Sequence, residues 1–393
     1  MLKDTDVSRF LGLNTVSDPV RLGLEWLTRA DNVHIDDTGM IERRDGFQPF
    51  LEATSMAGAY ATIDTERLYC VADGDLKTGD GVVLASGFAL DLMYWAEVNN
   101  HVFFNNGPDR GIIKPDNTLL PLDWPMPSTP AVAAVSGSLA PGLYRVCCTY
   151  VLPDGRETGA SDPAEIELAE GQALQISAIP LIAGGRTRTY ICPANSTVFQ
   201  LAASSGAQTA FVWNTSPDSL GIDLATELAQ PLPEGATAIQ HWRGRIYAAQ
   251  YIAQSNITAL WRSKPLGWHL FNLDEDYDSI DGEILMLAPH ASALVIGTDT
   301  AIFALTTDGL QALANYGVPR GCAWAIDYDA PGEPVYIWSK RGVCRYPEFA
   351  NLTSRHVSVA PGVHAGAAVV HADGQSRFVV NLHQGGIPFN SRS

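Results

Sequence analysis

The densest group of carboxylates in the chain, between Asp274 and Gly282, could ligate calcium. The run reads Asp-Glu-Asp-Tyr-Asp-Ser-Ile-Asp-Gly, so acidic side chains recur at short spacing. An EF-hand loop needs glycine at its sixth position and a bidentate glutamate at its twelfth. Those positions hold Ser279 and Leu285. The pattern therefore favours a solvated acidic loop, with a metal site as the alternative.

Other residue types with catalytic potential lack partners at a useful spacing. The nine histidines include no His-Glu-x-x-His motif, and no serine lies in a Gly-x-Ser-x-Gly turn. The pair Gly184-Gly185 is not followed by the Lys-Ser/Thr of a phosphate-binding loop. Sialidase boxes are absent, and spacing alone cannot identify the paired carboxylates of a glycosidase. We predict no catalytic residues, no cofactor and no metal, and expect that the protein is not an enzyme.

Two segments combine tryptophans with cations, one from Trp242 to Tyr247 and one from Trp261 to Phe271. Stacked tryptophans bind sugars in some proteins, but arginine stems also pack over ring faces in a core, and large aromatics anchor subunit contacts. All three interpretations stay open. The candidate packing or contact patch comprises Trp242, Arg243, Trp261, Arg262 and Trp268.

The elements that carry these residues are predicted to be strands of a repeating unit. An apolar alternating strand, a short turn and a second apolar strand recur six times. The last four repeats begin about 42 to 48 residues apart, which is the period of β-propeller blades. The predicted fold is all-β, a β-propeller-like ring of short antiparallel blades. The six segments begin at Arg67, His101, Arg245, Ala293, Val335 and Arg377.

The interval between His101 and Arg245 is too long for one blade, which predicts an insertion. Within it, Gly142 to Val151 and the turn at Pro153-Asp154-Gly155 resemble a strand and hairpin of immunoglobulin or fibronectin type III modules. Helical signals are limited to Asp18–Asn32 and Leu220–Ala229, and an irregular arm is the alternative for the first. The predicted organisation is an N-terminal arm and hairpin at 1–50, a first propeller part at 51–128, an inserted β-sandwich-like domain at 129–228 and a second propeller part at 229–393.

Composition limits the possible partners. Charged residues make up 17% of the chain, against roughly 25% in typical soluble proteins, which favours an obligate assembly. The formal net charge of −18 repels phosphate, so DNA is not expected as a ligand. An acidic channel wall that DNA slides past, or simple solubility, would both suit this charge.

Cysteines and apolar runs indicate a reduced protein outside the membrane. The six cysteines form no Cys-x-x-Cys pair, which favours buried thiols, and the vicinal Cys147 and Cys148 must alternate along one strand. The N-terminus lacks the apolar stretch of a secretory signal, and no apolar run reaches the roughly 18 residues that span a bilayer. We therefore expect neither export by that route nor membrane insertion.

The opening residues predict an extended arm followed by a β-hairpin. Asn14, Ser17 and Asp18-Pro19 are turn formers, and Val33 and Ile35 alternate with polar residues before a turn at Asp36 to Gly39. The run from Gly12 through Phe47 resembles the N-terminus of the tail nozzle, or packaged-DNA-stabilisation, proteins of short-tailed bacteriophages. Later segments are similar to that family too: Gly244 to Tyr247, Val295 to Asp299 and Ser339 to Val343.

The resemblance implies a structural virion protein. Such a protein would form a homohexameric nozzle ring below the portal and adaptor, closing the DNA channel, retaining packaged DNA and allowing its ejection. It would belong to the virion tail, be assembled in the host cytoplasm, contact tail fibres or spikes, and let double-stranded DNA pass without sequence-specific binding. The alternative is a carbohydrate-binding or receptor-binding β-propeller tail protein, with or without glycan-cleaving activity. Candidate interface residues are Arg9, Phe10, Leu13, Asn14, Asp18, Arg21, Trp26, Arg43, Arg44 and Phe47.

Overall fold

The computed structural model describes residues 7, 9–36, 38–44, 46, 48, 50–64, 66–320, 323–362, 364–372 and 374–383. In this part the chain is built from strands, and its helical turns are two short 3-10 turns, Pro19–Arg21 and Pro217–Ser219. The prediction of an all-β fold is confirmed. The possible helices at Asp18–Asn32 and Leu220–Ala229 are wrong: the first is reduced to one 3-10 turn, and Asp223 in the second makes a β-bridge to Gln200.

Residues 9–44, here called the arm, contain two small sheets. One is a parallel pair and the other is the predicted hairpin. The hairpin turns at Asp36, whose N–H donates to the Met40 carbonyl at 3.0 Å, and Gly39 adopts a φ of +86° that favours glycine. The strands are β1 Gly12–Leu13, β2 Trp26–Leu27, β3 Val33–Ile35 and β4 Ile41–Arg43.

Six antiparallel sheets follow one another along the chain. The first comprises β5 Met56–Ala61, β6 Leu68–Ala72, β7 Asp75–Thr78 and β8 Val83–Ser86; the second, β9 Tyr94–Val98, β10 His101–Asn105, β11 Arg110–Ile113 and β12 Leu119–Pro121. Between the second and third sheets lies the inserted unit, with β13 Ala131–Ser136, β14 Gly142–Val151, β15 Ala164–Leu168, β16 Gln172–Ser177, β17 Arg186–Cys192, β18 Gln200–Ser205 and β19 Phe211–Trp213.

The remaining four sheets complete the described chain. The third comprises β20 Ala236–Trp242, β21 Arg245–Ile252, β22 Ile257–Lys264, β23 Gly267–Phe271 and β24 Tyr277–Asp281; the fourth, β25 Ile284–Pro289, β26 Leu294–Thr298, β27 Ile302–Thr306 and β28 Gly309–Ala314. The fifth comprises β29 Trp324–Ile326, β30 Val335–Ser339, β31 Gly342–Tyr346 and β32 Ala350–Asn351; the sixth, β33 His364–Ala372 and β34 Gln375–His383.

Each of the six repeats predicted from sequence supplies the second strand of one sheet. These strands are β6, β10, β21, β26, β30 and β34. They were detectable because most are flanked by strands on both sides and read as nearly continuous apolar runs. In β26, for example, all five residues are buried.

Neighbouring sheets pack face to face through apolar side chains. Val71 and Leu76 of the first sheet contact the cluster around Val102 and Phe104 of the second. Similar cores join the second sheet to the third, the third to the fourth and the fourth to the fifth. Tyr336 of the fifth sheet stacks on Phe378 of the sixth, with ring centroids 5.6 Å apart. Burying each large apolar side chain contributes about 1.5–3 kcal/mol to stability. These contacts therefore dominate the packing of the six consecutive sheets, here called the row.

The inserted unit consists of two sheets with a shared core. Strands β13, β16 and β19 form one sheet and β14, β15, β17 and β18 the other. Between them lie Tyr144, Leu174, Ile191 and Trp213. Cys148 points into this core, whereas Cys147 belongs to a separate cluster with Tyr190, as expected for neighbours on one strand. Five cysteines are buried free thiols, and burial raises the pKa of the Cys148 thiol to about 11; Cys322 lies outside the described residues.

Candidate functional site

The arm is held to a distant segment of its own chain. The Thr15 N–H donates to the carbonyl of His356 at 2.8 Å, and its hydroxyl donates to the carbonyl of Ser358 at 3.1 Å. The Ser358 N–H donates back to the same hydroxyl at 2.9 Å. Trp26 stacks on the His356 ring. The segment 353–358 connects the fifth sheet to the sixth, so the arm reaches from the start of the first sheet to the far end of the row.

Several predicted interface residues shape the arm from within. The buried Asn14 accepts hydrogen bonds from the N–H groups of Val16 and Ser17, and Asp18 accepts one from the N–H of Val20 at 3.0 Å. Asp18 thereby caps the 3-10 turn that begins with Pro19, as the sequence suggested. These polar contacts fix the turn before any partner binds.

The other predicted arm residues take different positions. The Phe10 N–H donates to the Gly39 carbonyl at 2.8 Å, and the Arg44 N–H donates to the Asn32 carbonyl at 2.9 Å. Leu13 is half-buried in β1. The side chains of Arg9, Arg21 and Arg43 are exposed, and Phe47 lies outside the described residues. The structure places these residues in the arm, and their role at an interface stays a prediction. The sequence did not identify His356 and Ser358, where the arm docks.

Beside its exposed charged residues, the arm exposes several large apolar side chains. The side chain of Val20 at the tip of the turn is 91% exposed, and Leu24 is 63% exposed. Val16, Met40 and Ile41 are exposed on the same arm, and Phe50, just after it, is 71% exposed. Apolar side chains held outward on a polar-fastened turn are typical of a contact surface.

Trp242 and Arg243 of the aromatic patch join two sheets. Trp242 is 7% exposed and donates its indole N–H to the His290 carbonyl at 2.8 Å. Arg243 lies over the Trp242 ring, 4.8 Å from its centroid, and donates to the carbonyl of Ala291 at 3.1 Å. Both carbonyls follow β25, the first strand of the fourth sheet. These two residues therefore pack the third sheet against the fourth. The buried Trp242 ring has no face free for a sugar.

Trp261 and Trp268 lie on the other face of the third sheet, whereas Arg262, next to Trp261 on β22, points to the Trp242 face. Trp261 and Trp268 pack against the core shared with the second sheet, and Trp261 donates to Gln250 at 3.1 Å. Its ring lies 4.9 Å from that of Tyr277. Arg262 pairs with Asp278 at 3.0 Å and with Asp276 at 3.5 Å. The predicted patch is therefore divided between the two faces of the third sheet, with Arg262 on the Trp242 face and the half-buried Trp261 and Trp268 on the other.

The acidic run is only partly the predicted loop, because its second half is a strand. Residues 277–281 form β24, which pairs with β22. The register of this pair places Asp278 opposite Leu260 and next to Arg262. Asp276 also accepts an ion pair from Lys264 at 3.1 Å. In the described part of the chain, no group of three or more His, Cys, Asp or Glu side chains is arranged to hold a metal ion. Two of the carboxylates, Asp276 and Asp278, are thus paired with cations of the neighbouring strand.

The inserted unit is fastened to the sheets at one junction. Trp124 donates its indole N–H to the His269 carbonyl at 2.9 Å, and the His269 ring bonds the Glu157 carbonyl through Nε2 at 2.9 Å. Since a carbonyl only accepts, Nε2 carries the proton. Burial lowers the pKa of His269, and the hydrogen bond to Glu157 opposes part of that effect. Tyr150, Leu152 and Leu270 complete an apolar core around Trp124.

Asn105 is a second polar link that sequence reasoning missed. It is fully buried at the end of β10 and donates to the carbonyls of Ala236 and Thr237, both at 2.8 Å. It therefore ties the second sheet to the third across the insertion point. An Asn-Asn-Gly run is an ordinary turn signal, so nothing local revealed this role.

Comparisons with known proteins give structural neighbours of low similarity. No protein-family model and no curated protein matches the chain. The extracellular domain of a one-component system from B. thetaiotaomicron aligns with 10% identity and a TM-score of 0.32, over 86% of this chain and 38% of that one. PorZ, a surface component of the type-IX secretion system of Porphyromonas gingivalis, aligns with 14% identity and a TM-score of 0.24, over 90% and 54%. This chain spans less than two thirds of either neighbour, and at these TM-scores neither bears on its function. Among the described residues, no helix is long and apolar enough to cross a membrane.

Proposed function

We propose that this chain is a structural subunit of a short-tailed phage tail, forming a homohexameric nozzle ring below the portal and adaptor. The observation that carries the proposal is the arm, which is fastened to segment 353–358 by hydrogen bonds and exposes large apolar side chains. Val20 and Leu24 would be covered in an assembly and are uncovered in a single copy. A ring built from one repeated contact needs such a surface on each subunit.

The row of sheets suits a ring-shaped component. We interpret the six sheets as blades of a β-propeller, because each adds consecutive antiparallel strands and packs on the next through its flat face. Cores between blades hold such a structure without helices. A mechanically firm subunit is what a channel under internal pressure requires.

The charge of the chain suits a channel that DNA must leave. A net charge of −18 disfavours adhesion of phosphate to the wall, so packaged DNA would be retained by closure of the passage and not by binding. This role is structural and needs no catalytic residue or cofactor. The protein would act in the virion tail after assembly in the host cytoplasm, with no membrane insertion.

The arm and the inserted unit are the parts we assign to partners. The arm would contact a neighbouring subunit or the adaptor and portal above. The inserted unit joins the sheets around Trp124 and His269 and through Arg156, which donates to the Pro121 carbonyl, and we assign the rest of its surface to tail fibres or spikes. The carbohydrate-binding alternative has less support, because Trp242 is buried and Trp261 is packed.

Imaging of the purified protein tests the proposal. Negative-stain micrographs should show rings with a central pore, and mass photometry should show a species of six subunits. Replacing Val20 and Leu24 with aspartate should abolish rings while leaving the circular dichroism spectrum unchanged. Leu266→Asp, at a side chain 76% exposed in another part of the molecule, is the matched control and should leave rings intact. A protein that stays monomeric at every concentration would refute the ring.

A further inference from the structure

The sixth sheet ends in an open strand edge. It has two strands, whereas each of the other five sheets has at least four. Its second strand, β34, is nine residues long and contains no proline and a single arginine. In the part of the chain that the structure describes, β34 pairs with β33 and with no other strand. Prolines and charged side chains protect edge strands from pairing with other strands. A long edge that has few of them is a template for pairing.

The register identifies the free backbone groups on this edge. The hairpin is closed by the pair Ala372 and Gln375, so residues of β34 alternate between bonding β33 and pointing away from it. The residues that point away are Ser376, Phe378, Val380 and Leu382. No backbone hydrogen bond to these four residues occurs within the described chain beyond the β33 ladder.

The arm hairpin presents a second open edge of matching kind. Because the Arg44 N–H bonds the Asn32 carbonyl, the backbone groups of Ile41 and Arg43 point away from β3. All three residues of β4 are exposed, whereas those of β3 are half-covered. The free edge of the hairpin is therefore β4.

We propose that β4 of one copy pairs with β34 of a second copy, which completes the sixth sheet. Two strands from each copy give the four found in most other sheets, and the main-chain bonds would supply the contact as in other strand additions. A second copy is the expected donor, because the arm is fastened to its own segment 353–358 while its hairpin is unpaired with its own β34. The pairing rests on the proposed ring and specifies which edges meet in it.

Directed disulfide formation between copies tests this pairing. Ile41→Cys would be mixed in turn with Phe378→Cys, Val380→Cys and Leu382→Cys, all in a Cys322→Ser background, and oxidised. Non-reducing electrophoresis should show a band of twice the monomer mass for at least one mixture. Val83→Cys, exposed on the outer strand of the first sheet, is the control partner and should give none.

The outcomes separate this inference from the proposed ring. Rings in micrographs without a crosslinked dimer in any mixture would overturn the pairing and leave the nozzle proposal standing. One chain that carries both Ile41→Cys and a cysteine at 378, 380 or 382 is oxidised separately. A crosslink formed only within that chain, with no dimer in any mixture, would assign the edge to the chain's own hairpin and refute exchange between copies. Crosslinked dimers without rings would support the pairing and count against the nozzle.

Discussion

The indole ring of Trp26 stacks on the imidazole of His356, with ring centroids 4.7 Å apart and planes inclined by 29°. The contact fastens the arm to the connection between the fifth and sixth sheets. With the hydrogen bonds of Thr15, it makes the arm a strap between the two ends of the row.

Removing this ring should loosen the strap. We expect Trp26→Ala to reduce stability by roughly 1 kcal/mol, the usual contribution of an aromatic pair, and to speed cleavage within the arm during limited proteolysis. The control Arg21→Ala changes an exposed side chain of the same arm, and its arm should be cleaved at the wild-type rate. Equal rates for both variants would mean that the stacking does not restrain the arm.

Loss of the Asn105 amide should weaken the joint between the second and third sheets. Asn105→Ala leaves the buried carbonyls of Ala236 and Thr237 without their donor, at a cost of about 2 kcal/mol or more. Urea unfolding should show a lower midpoint at an unchanged slope. Gln311→Ala, on the exposed strand β28, is the control and should unfold with the wild-type protein.

A methyl group at Gly159 should disrupt the junction of the inserted unit. A Cβ there would lie 1.7 Å from the Ala229 carbonyl oxygen, so the backbone must move. We expect Gly159→Ala to destabilise the protein by about 3 kcal/mol or more, measured by thermal unfolding. Gly366→Ala, where no atom lies within 4 Å of the new carbon, should change the midpoint little. A wild-type midpoint for Gly159→Ala would contradict the close approach.

Acidification should weaken the same junction through His269. Burial lowers the pKa of this ring in the folded protein below its ordinary value of about 6.5. At any pH between these two pKa values, the unfolded chain binds more protons at His269 than the folded protein does. The contribution of neutral His269 to the free energy of unfolding is therefore fully present above about pH 6.5. It is lost as the pH falls from there towards the pKa of the folded protein. His269→Gln does not titrate, so its melting temperature should fall less than that of the wild type between pH 7 and pH 5. Parallel pH profiles for the two proteins would exclude this role.

Much of the fold could be predicted because its signals are local. Alternating apolar residues and Asn, Asp or Gly turns identified the second strand of each of the six sheets in the row and the hairpin at Asp36. The contacts that could not be predicted are distant in sequence. Nothing near Asp278 shows that Arg262 lies beside it, and so the acidic strand β24 was expected to be a loop.

Only part of the contact between the arm and segment 353–358 could be predicted, because its two sides are distant in sequence. Asn14 and Asp18 are recognisable turn residues, whereas His356 carries no pattern that links it to Trp26. Arg9 and Arg43 were expected at an interface and are exposed in the single chain, so only an assembly can reveal their contacts.

The docking of the arm also sets an order of events during synthesis. Thr15 bonds Ser358 across a sequence separation of 343 residues. Domains form largely as the chain emerges, and contacts between distant residues close late. The arm is thus translated among the first residues but cannot reach its place until the fifth sheet has been made. A truncated or stalled chain would carry an undocked arm, so the closed strap marks a subunit whose synthesis has passed residue 358.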